Sequence, residues 1–303
     1  MKADFGNLNI TKIKDLDTII KTCANHGIYI QNLDTSYMTD MGYLYYLVVN
    51  EHIDLKYINT SNVTNMACMF RNSGFRSIDF GNFDTSSVTN MRGMFSQCKA
   101  DMLDLRCFNT SKVRTMEDMF YDCGAKLDIS SFDTSNLEDM QSMFASYNQD
   151  ELDISHFDTS KVSNMQNVFA LSEIKHIKLG YINTACVITM HSMFNYAHTD
   201  SIKILNIDTT SMKDMSSMFE GAQCKDIILG TNKNSCLIEP KAMFRGCIAK
   251  FVDLSQVNIG ENSNLESMFV WAKIENIAVN SKNKRYILEQ LKKDQCTSNI
   301  ILK

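Results

Sequence analysis

The chain has 303 residues, of which 44% are hydrophobic and 21% are charged, and its formal net charge is −5. These values are typical of globular proteins and exclude a disordered or collagen-like chain. A protein that mainly neutralises phosphate groups is strongly basic, so direct nucleic-acid binding is not expected. The sequence has no run of about 18 apolar residues, so it predicts no membrane span.

Residues 1–26 form an atypical first unit. Ile13 and Leu16 stand where the next full unit has Val63 and Met66, but the rest of the segment departs from the later pattern. A terminal repeat has to cover the open end of a repetitive core. We therefore predict an N-terminal capping repeat over 1–26. The start has no signal-peptide pattern, so a chain that begins at Met1 is expected in the cytoplasm.

Residues 27–281 are organised by an internal repeat of 25 residues. The dipeptide Met-Phe recurs at this spacing, with one shorter step of 24 residues, and Val168-Phe169 fills the single gap. A period of this length is typical of solenoid proteins. The anchor phenylalanines are Phe70, Phe95, Phe120, Phe144, Phe169, Phe194, Phe219, Phe244 and Phe269.

Each unit combines two kinds of periodicity. It begins with an apolar-x-apolar run such as Leu103-Asp104-Leu105, which predicts a strand with one buried face. It ends with apolar residues three and four apart, such as Val113, Met116 and Phe120, which predict one face of a short helix. The methionines are therefore interpreted as core columns. The fold class expected is α/β: a single solenoid of about eleven strand–short-helix rungs with N- and C-terminal caps.

An Asp or Asn followed by Thr separates the two halves of most units, as in Asp84-Thr85 and Asp158-Thr159. The Asp or Asn is predicted to accept bonds from free N–H groups at the start of the following helix. The threonine is predicted to bond its neighbours in the adjacent rungs. Both roles are structural.

The C-terminal segment 282–303 departs from the repeat. Apolar side chains of Ile287, Leu288 and Leu291 share one face of a predicted helix over 282–294, and a short strand at 300–302 follows. We predict that 282–303 is a C-terminal cap.

The sequence predicts no catalytic, metal or cofactor site. Its ten cysteines include no C-x-x-C pair, which favours free thiols in a reducing compartment. The six histidines occupy different phases of the repeat, and His191 and His198 have no further ligand at a suitable spacing. No phosphate loop or nucleophile motif is present. The chain is therefore expected not to be an enzyme.

One surface feature recurs from rung to rung. The residue in the middle of each strand points away from the core, so these residues are predicted to stack about 4.8 Å apart. The column, called here the acidic ladder, has a basic end, and such a face can dock a basic protein. An alternative is that Asp here only bonds its neighbours. The candidate partner-binding residues are Asp54, Asp79, Asp104, Asp128, Asp153, Lys178 and Lys203.

The unit LDISHFDTSKVSNMQNVF, residues 152–169, resembles the BspA-type leucine-rich repeat. That repeat is common in surface proteins of low-GC bacteria, including mycoplasma lipoproteins. The resemblance implies a solenoid that binds other proteins, as in adhesion, without catalysis. It also implies a location at the cell surface.

The sequence therefore predicts a non-catalytic protein-binding solenoid. One alternative is an intracellular inhibitor or decoy, encoded by a phage or another mobile element, that blocks a basic nucleic-acid-binding protein of the host. A second alternative is a β-solenoid enzyme that acts on carbohydrates.

Overall fold

The computed structural model describes residues 2–9, 13–25, 29–48, 52–55, 58–232, 235–260 and 263–303. The chain divides into two compact units, residues 1–137 and 138–303. Each unit is built from successive rungs whose strands pair in parallel.

In the first unit, three pairs of parallel strands follow one another along the chain. β1 pairs with β2 across the crossover helix α1, β3 pairs with β4, and β5 pairs with β6. The helix α1 buries Leu16 and Ile20, which covers the apolar side of the first rung. The elements are β1 (Lys2–Asn9), α1 (Ile13–Asn25), β2 (Tyr29–Asp34), β3 (His52–Asp54), β4 (Ser77–Asp79), β5 (Met102–Asp104) and β6 (Lys126–Asp128).

In the second unit, seven parallel strands form one sheet in the order of the sequence. Within β9, Ile202 and Ile204 are buried and Lys203 between them is exposed, as the period of two predicts. The elements are β7 (Asn148–Asp153), β8 (Glu173–Lys178), β9 (His198–Ile207), β10 (Gln223–Thr231), β11 (Ile248–Gln256), β12 (Lys273–Val279), α2 (Lys284–Lys293) and β13 (Asn299–Leu302).

The anchor phenylalanines form the core columns that the repeat predicts. In the first unit the rings of Phe70 and Phe95 stack with centroids 5.4 Å apart and planes 8° apart. In the second unit Phe244 and Phe269 stack at 5.7 Å and 4°. Each anchor ring is fully buried, so one apolar position, repeated at the strand spacing, builds a continuous core.

The prediction of a short helix in each repeat is wrong. In the rung of Phe70, alternate N–H groups donate to the next rung, as from Met66 to the Asn90 carbonyl (2.9 Å) and from Phe70 to that of Met94 (2.9 Å). The intervening N–H groups donate three residues back, as from Met69 to the Met66 carbonyl. In an α-helix, each N–H donates a hydrogen bond to the carbonyl four residues back. Bonding between rungs replaces that ladder with tight turns, and among described residues only α1 and α2 are α-helices.

The predicted threonine column links adjacent rungs, although the bonds run to the backbone of the following rung and not to the neighbours on both sides. The Thr85 hydroxyl donates to the Asn109 carbonyl (3.0 Å) and accepts the Asn109 N–H (2.8 Å), so one side chain satisfies two backbone groups of the next rung. The same pair of bonds joins Thr60 to Asp84 (2.8 and 2.8 Å) and Thr159 to Asn183 (3.0 and 2.8 Å). These threonines are almost fully buried, so the bonds matter: an unpaired polar group there would be destabilising.

The predicted C-terminal helix and strand are confirmed as α2 and β13. α2 buries Ile287 and Leu291, and β13 adds to the sheet beside β12. The predicted solenoid is confirmed as well: the fold is a parallel-sheet β-solenoid of about ten turns with few helices.

Candidate functional site

Each carboxylate of the acidic ladder that the structure describes closes a turn at the end of its strand. Oδ1 of Asp79 accepts the Gly81 N–H at 2.9 Å, and Oδ1 of Asp153 accepts the Ser155 N–H at 3.0 Å. Aspartate commonly bonds the backbone two residues ahead in this way. A structural role for these residues is therefore visible. The Asp54 side chain lies outside the described residues, although its backbone pairs in register with Asp79.

In the first unit, basic side chains partly neutralise the ladder. Asp104 and Asp128 pair in register, and Arg106 contacts both: its Nη2 lies 2.6 Å from Oδ2 of Asp104, and its Nε lies 3.3 Å from Oδ2 of Asp128. The hydrogen bond from the Arg106 side chain, followed by that from its backbone N–H, lowers the pKa of Asp104 to about 2. The pair is exposed, so its contribution to folding is small.

In the second unit, Asp153 is paired with Lys178, whose Nζ lies 3.4 Å from Oδ2 of Asp153. The hydrogen bonds from the Ser155 hydroxyl and N–H lower the pKa of Asp153, and Lys178 adds to this. Sheet pairing does not join Lys178 to Lys203. β8 and β9 pair only at Glu173 and His198, whereas on its other side Lys203 pairs with Ile228 of β10.

The histidines and cysteines make local contacts. Nδ1 of His191 lies 2.8 Å from the Ser216 hydroxyl, and no three His, Cys, Asp or Glu side chains in the described ranges gather as metal ligands. Cys98 and Cys123 are buried, free thiols on adjacent rungs. The hydrogen bond with Cys98 and burial raise the pKa of Cys123 well above its usual range.

A second column, two residues after each anchor, carries exposed apolar side chains in the second unit. Leu171 is 58% exposed, Tyr196 53% and Trp271 79%, and Gly221 and Gly246 occupy the two rungs between Tyr196 and Trp271. We call these five residues the apolar stripe. At about 4.8 Å per rung, the stripe is about 19 Å long.

The backbone of the apolar stripe is left-handed. φ is +59° at Leu171, +53° at Tyr196 and +59° at Trp271. Left-handed backbone is unfavourable for bulky residues, and glycine, asparagine and aspartate tolerate it best. Rungs of the first unit place Asn72, Gln97 and Asp122 at this position, although the rung of Tyr45 has Leu47 there.

Gly221 is required for the position of Tyr196. A Cβ on Gly221 would lie 2.5 Å from Cδ1 and 2.6 Å from Cε1 of the Tyr196 ring. The ring therefore lies directly against the Gly221 backbone, and any larger residue would displace it. The stripe was not predicted, although the sequence carries its signal: large apolar residues at a position that has small or polar ones in most other rungs.

The fold and these surfaces define a class: a parallel β-solenoid of repeated 25-residue rungs whose side chains decorate regular columns. The chain matches the family described as "Mycoplasma protein of unknown function, DUF285", over residues 1–100, 48–150, 71–177, 99–199, 124–230 and 171–286. Since these overlapping matches span most of the sequence, the chain belongs to that family. The searches of curated proteins and of solved structures found no match. Within the described ranges, no helix is both long enough and apolar enough to cross a membrane.

Proposed function

We propose that this chain is a non-catalytic binding solenoid of the BspA-like type, which recognises another protein through the apolar stripe. One observation carries the proposal: bulky apolar side chains occupy left-handed positions and are exposed to solvent. Such residues contribute little to the core. A binding role is a reason for the sequence to retain them.

Strain supports this interpretation. A left-handed L-residue costs roughly 1–2 kcal/mol relative to the right-handed conformation. Burial of a large apolar side chain would offset that cost, but Trp271 is 79% exposed. The left-handed turn recurs after each anchor, so the fold sets the backbone, and the bulky side chain placed on it is what calls for a functional reason.

The shape of the stripe suits a protein segment. Tyr196 and Trp271 are three rungs apart. The Tyr196 ring covers Gly221, and Gly246, where a Cβ would meet no atom closer than 3.9 Å, leaves a shallow floor between that ring and Trp271. Tryptophan and tyrosine are the residues that most often dominate protein–protein affinity, especially beside a pocket. Arg245, which pairs with the mostly buried Glu220, supplies a polar rim next to the floor. We therefore propose a partner that lays an apolar side chain over Gly246, between the Tyr196 ring and Trp271.

The acidic ladder supports protein recognition less strongly. Arg106 contacts two of its carboxylates and Lys178 contacts a third, so the surface charge is lower than a row of free aspartates would give. A basic partner at the ladder stays a hypothesis from the sequence.

Site-specific photo-crosslinking tests the proposal. A benzoylphenylalanine residue is placed at position 271 of the full chain, and a control chain carries it at position 122, the same column of the first unit. Both are irradiated with extract and membranes of the native host. We expect one crosslinked protein at 271 and none at 122.

Competition decides whether that crosslink reports the stripe. Unlabelled wild-type protein should suppress it, and the double variant Leu171→Asn/Trp271→Asn should not. Equal crosslinking at 122, equal competition by the double variant, or no crosslink at 271 would each contradict the proposal.

A further inference from the structure

A cleft of about 500 Å³ opens between β8 and β9, away from the apolar stripe. Its lining is mixed. Ile177 on β8 and Leu205 on β9 are half-buried apolar residues, whereas Leu179 and Ile204 are almost fully buried. Tyr181, which is 67% exposed, also lines it. Small-molecule sites combine apolar surface with a few polar groups in clefts of this volume.

The cleft lies where the regular sheet is interrupted. β8 pairs with β7 as far as Asp153 and Lys178, and β9 pairs with β10 through Lys203 and Ile228. β8 and β9, both fully described, pair only at their first residues, Glu173 and His198. Beyond that point the facing edges are not joined by sheet pairing.

Both ends of the cleft are fixed by contacts between the two rungs. At one end, Nδ1 of His176 lies 2.9 Å from Oδ2 of Asp200. At the other end, the threonine column resumes: the Thr184 hydroxyl donates to the Asp208 carbonyl (3.0 Å) and accepts its N–H (2.8 Å). The opening is therefore held between two anchored points.

Gly180 helps to create the opening. Its φ is +65°, and a Cβ there would lie 2.5 Å from the Ser155 carbonyl oxygen and 2.6 Å from the Ser155 Cα. Only glycine permits this close approach to the preceding rung. The chain after β8 therefore packs towards Ser155, on the side away from β9.

The polar groups of the cleft define the ligand. Among its lining residues, all of which the structure describes, Lys203 is the only charged one, and Tyr181, Ser201 and Asn206 carry the uncharged polar groups. No carboxylate lines the cleft to compete for the Lys203 ammonium group. A mixed lining with one cation and accessible apolar surface matches a molecule with an apolar body and one anionic head.

We propose that this cleft binds a small carboxylic acid with an apolar body, whose carboxylate contacts Lys203 and whose body lies against Ile177 and Leu205. The site is separate from the proposed protein-binding stripe and does not depend on it. No covalent step is involved.

Calorimetric titration of the full chain tests the site, with decanoate as the probe. Decanol and decyltrimethylammonium have the same chain length with a neutral and a cationic head. We expect saturable binding of one decanoate per chain, weaker binding of decanol, and no binding of the cation. Lys203→Met should weaken decanoate binding by about tenfold or more, because a charge-assisted hydrogen bond is lost.

Two further variants separate the site from general effects. Lys225→Met removes an exposed lysine of β10 that does not line the cleft, and its decanoate affinity should stay within about twofold of the wild type. Ser201→Trp fills the cleft from an exposed strand position, and it should abolish binding while the circular dichroism spectrum is unchanged. Failure of the wild type to bind decanoate, equal binding of the cation, or equal effects of Lys203→Met and Lys225→Met would overturn the proposal.

Discussion

Replacing Thr85 by valine tests the threonine column. Valine has nearly the shape of threonine but lacks the hydroxyl, so the substitution removes both bonds to Asn109 and leaves its N–H and carbonyl without that partner. Each bond contributes about 0.5–1.5 kcal/mol, and an unsatisfied buried group costs about 1–3 kcal/mol. Since Thr85 is only 1% exposed, we expect the free energy of unfolding to fall by about 2–4 kcal/mol.

Thr89→Val, in the same rung, is the matched control. The Thr89 side chain is exposed, and its hydroxyl makes a single long bond of 3.3 Å to the Thr64 carbonyl. Its loss should change stability by no more than about 0.5 kcal/mol. Urea unfolding of the full chain, followed by circular dichroism, measures both variants. Equal losses, or a Thr85→Val loss below about 0.5 kcal/mol, would refute the reasoning.

Three further predictions concern the core and the acidic ladder. Met119 is fully buried, so Met119→Asp should cost several kcal/mol, whereas Glu117→Ala should cost about 0.5 kcal/mol or less in the same urea assay. Asp104 has a lowered pKa, so its stabilising effect is present above about pH 4 and is lost as the pH falls through about 2. The difference in melting temperature between wild type and Asp104→Asn should therefore shrink between pH 5 and pH 2. If the ladder binds a basic partner, replacing Asp79, Asp104 and Asp128 by serine should slow association with that partner at low salt. An unchanged association rate and salt dependence would exclude the ladder as the binding surface.

The columns of the solenoid could be predicted because one sequence position decides each of them. Phe70 and Phe95 recur at 25 residues, and their rings stack. The threonines could be predicted on the same basis, since a hydroxyl repeated at the strand spacing lies beside the backbone of the next rung.

The short helices were predicted wrongly because burial does not determine the backbone. Val113, Met116 and Phe120 are buried, as a helical face would require. Tight turns can bury the same positions: in the rung of Phe70, Met66 and Phe70 are fully buried while their N–H groups bond the next rung. A segment this short has little helical stability of its own. Asp118 has a φ of +56°, a left-handed backbone that a right-handed α-helix cannot contain.

The cleft and the apolar stripe were not predicted because both are exceptions to the repeat. The β8–β9 opening depends on how closely Gly180 approaches Ser155, which the spacing of residues does not reveal. The exposure of Trp271 depends on the left-handed turn that follows each anchor. The repeat pattern describes the shared rung, and these sites arise where individual rungs differ from it.

The stability of the double variant Leu171→Asn/Trp271→Asn tests the central claim most directly, because it needs no knowledge of the partner. If these side chains are kept for binding and strain the backbone, asparagine should relieve the strain. We predict that the free energy of unfolding in urea rises by about 1 kcal/mol for each substitution. A loss of about 1 kcal/mol or more would show that the two side chains stabilise the fold, and would contradict the claim that they are retained for recognition.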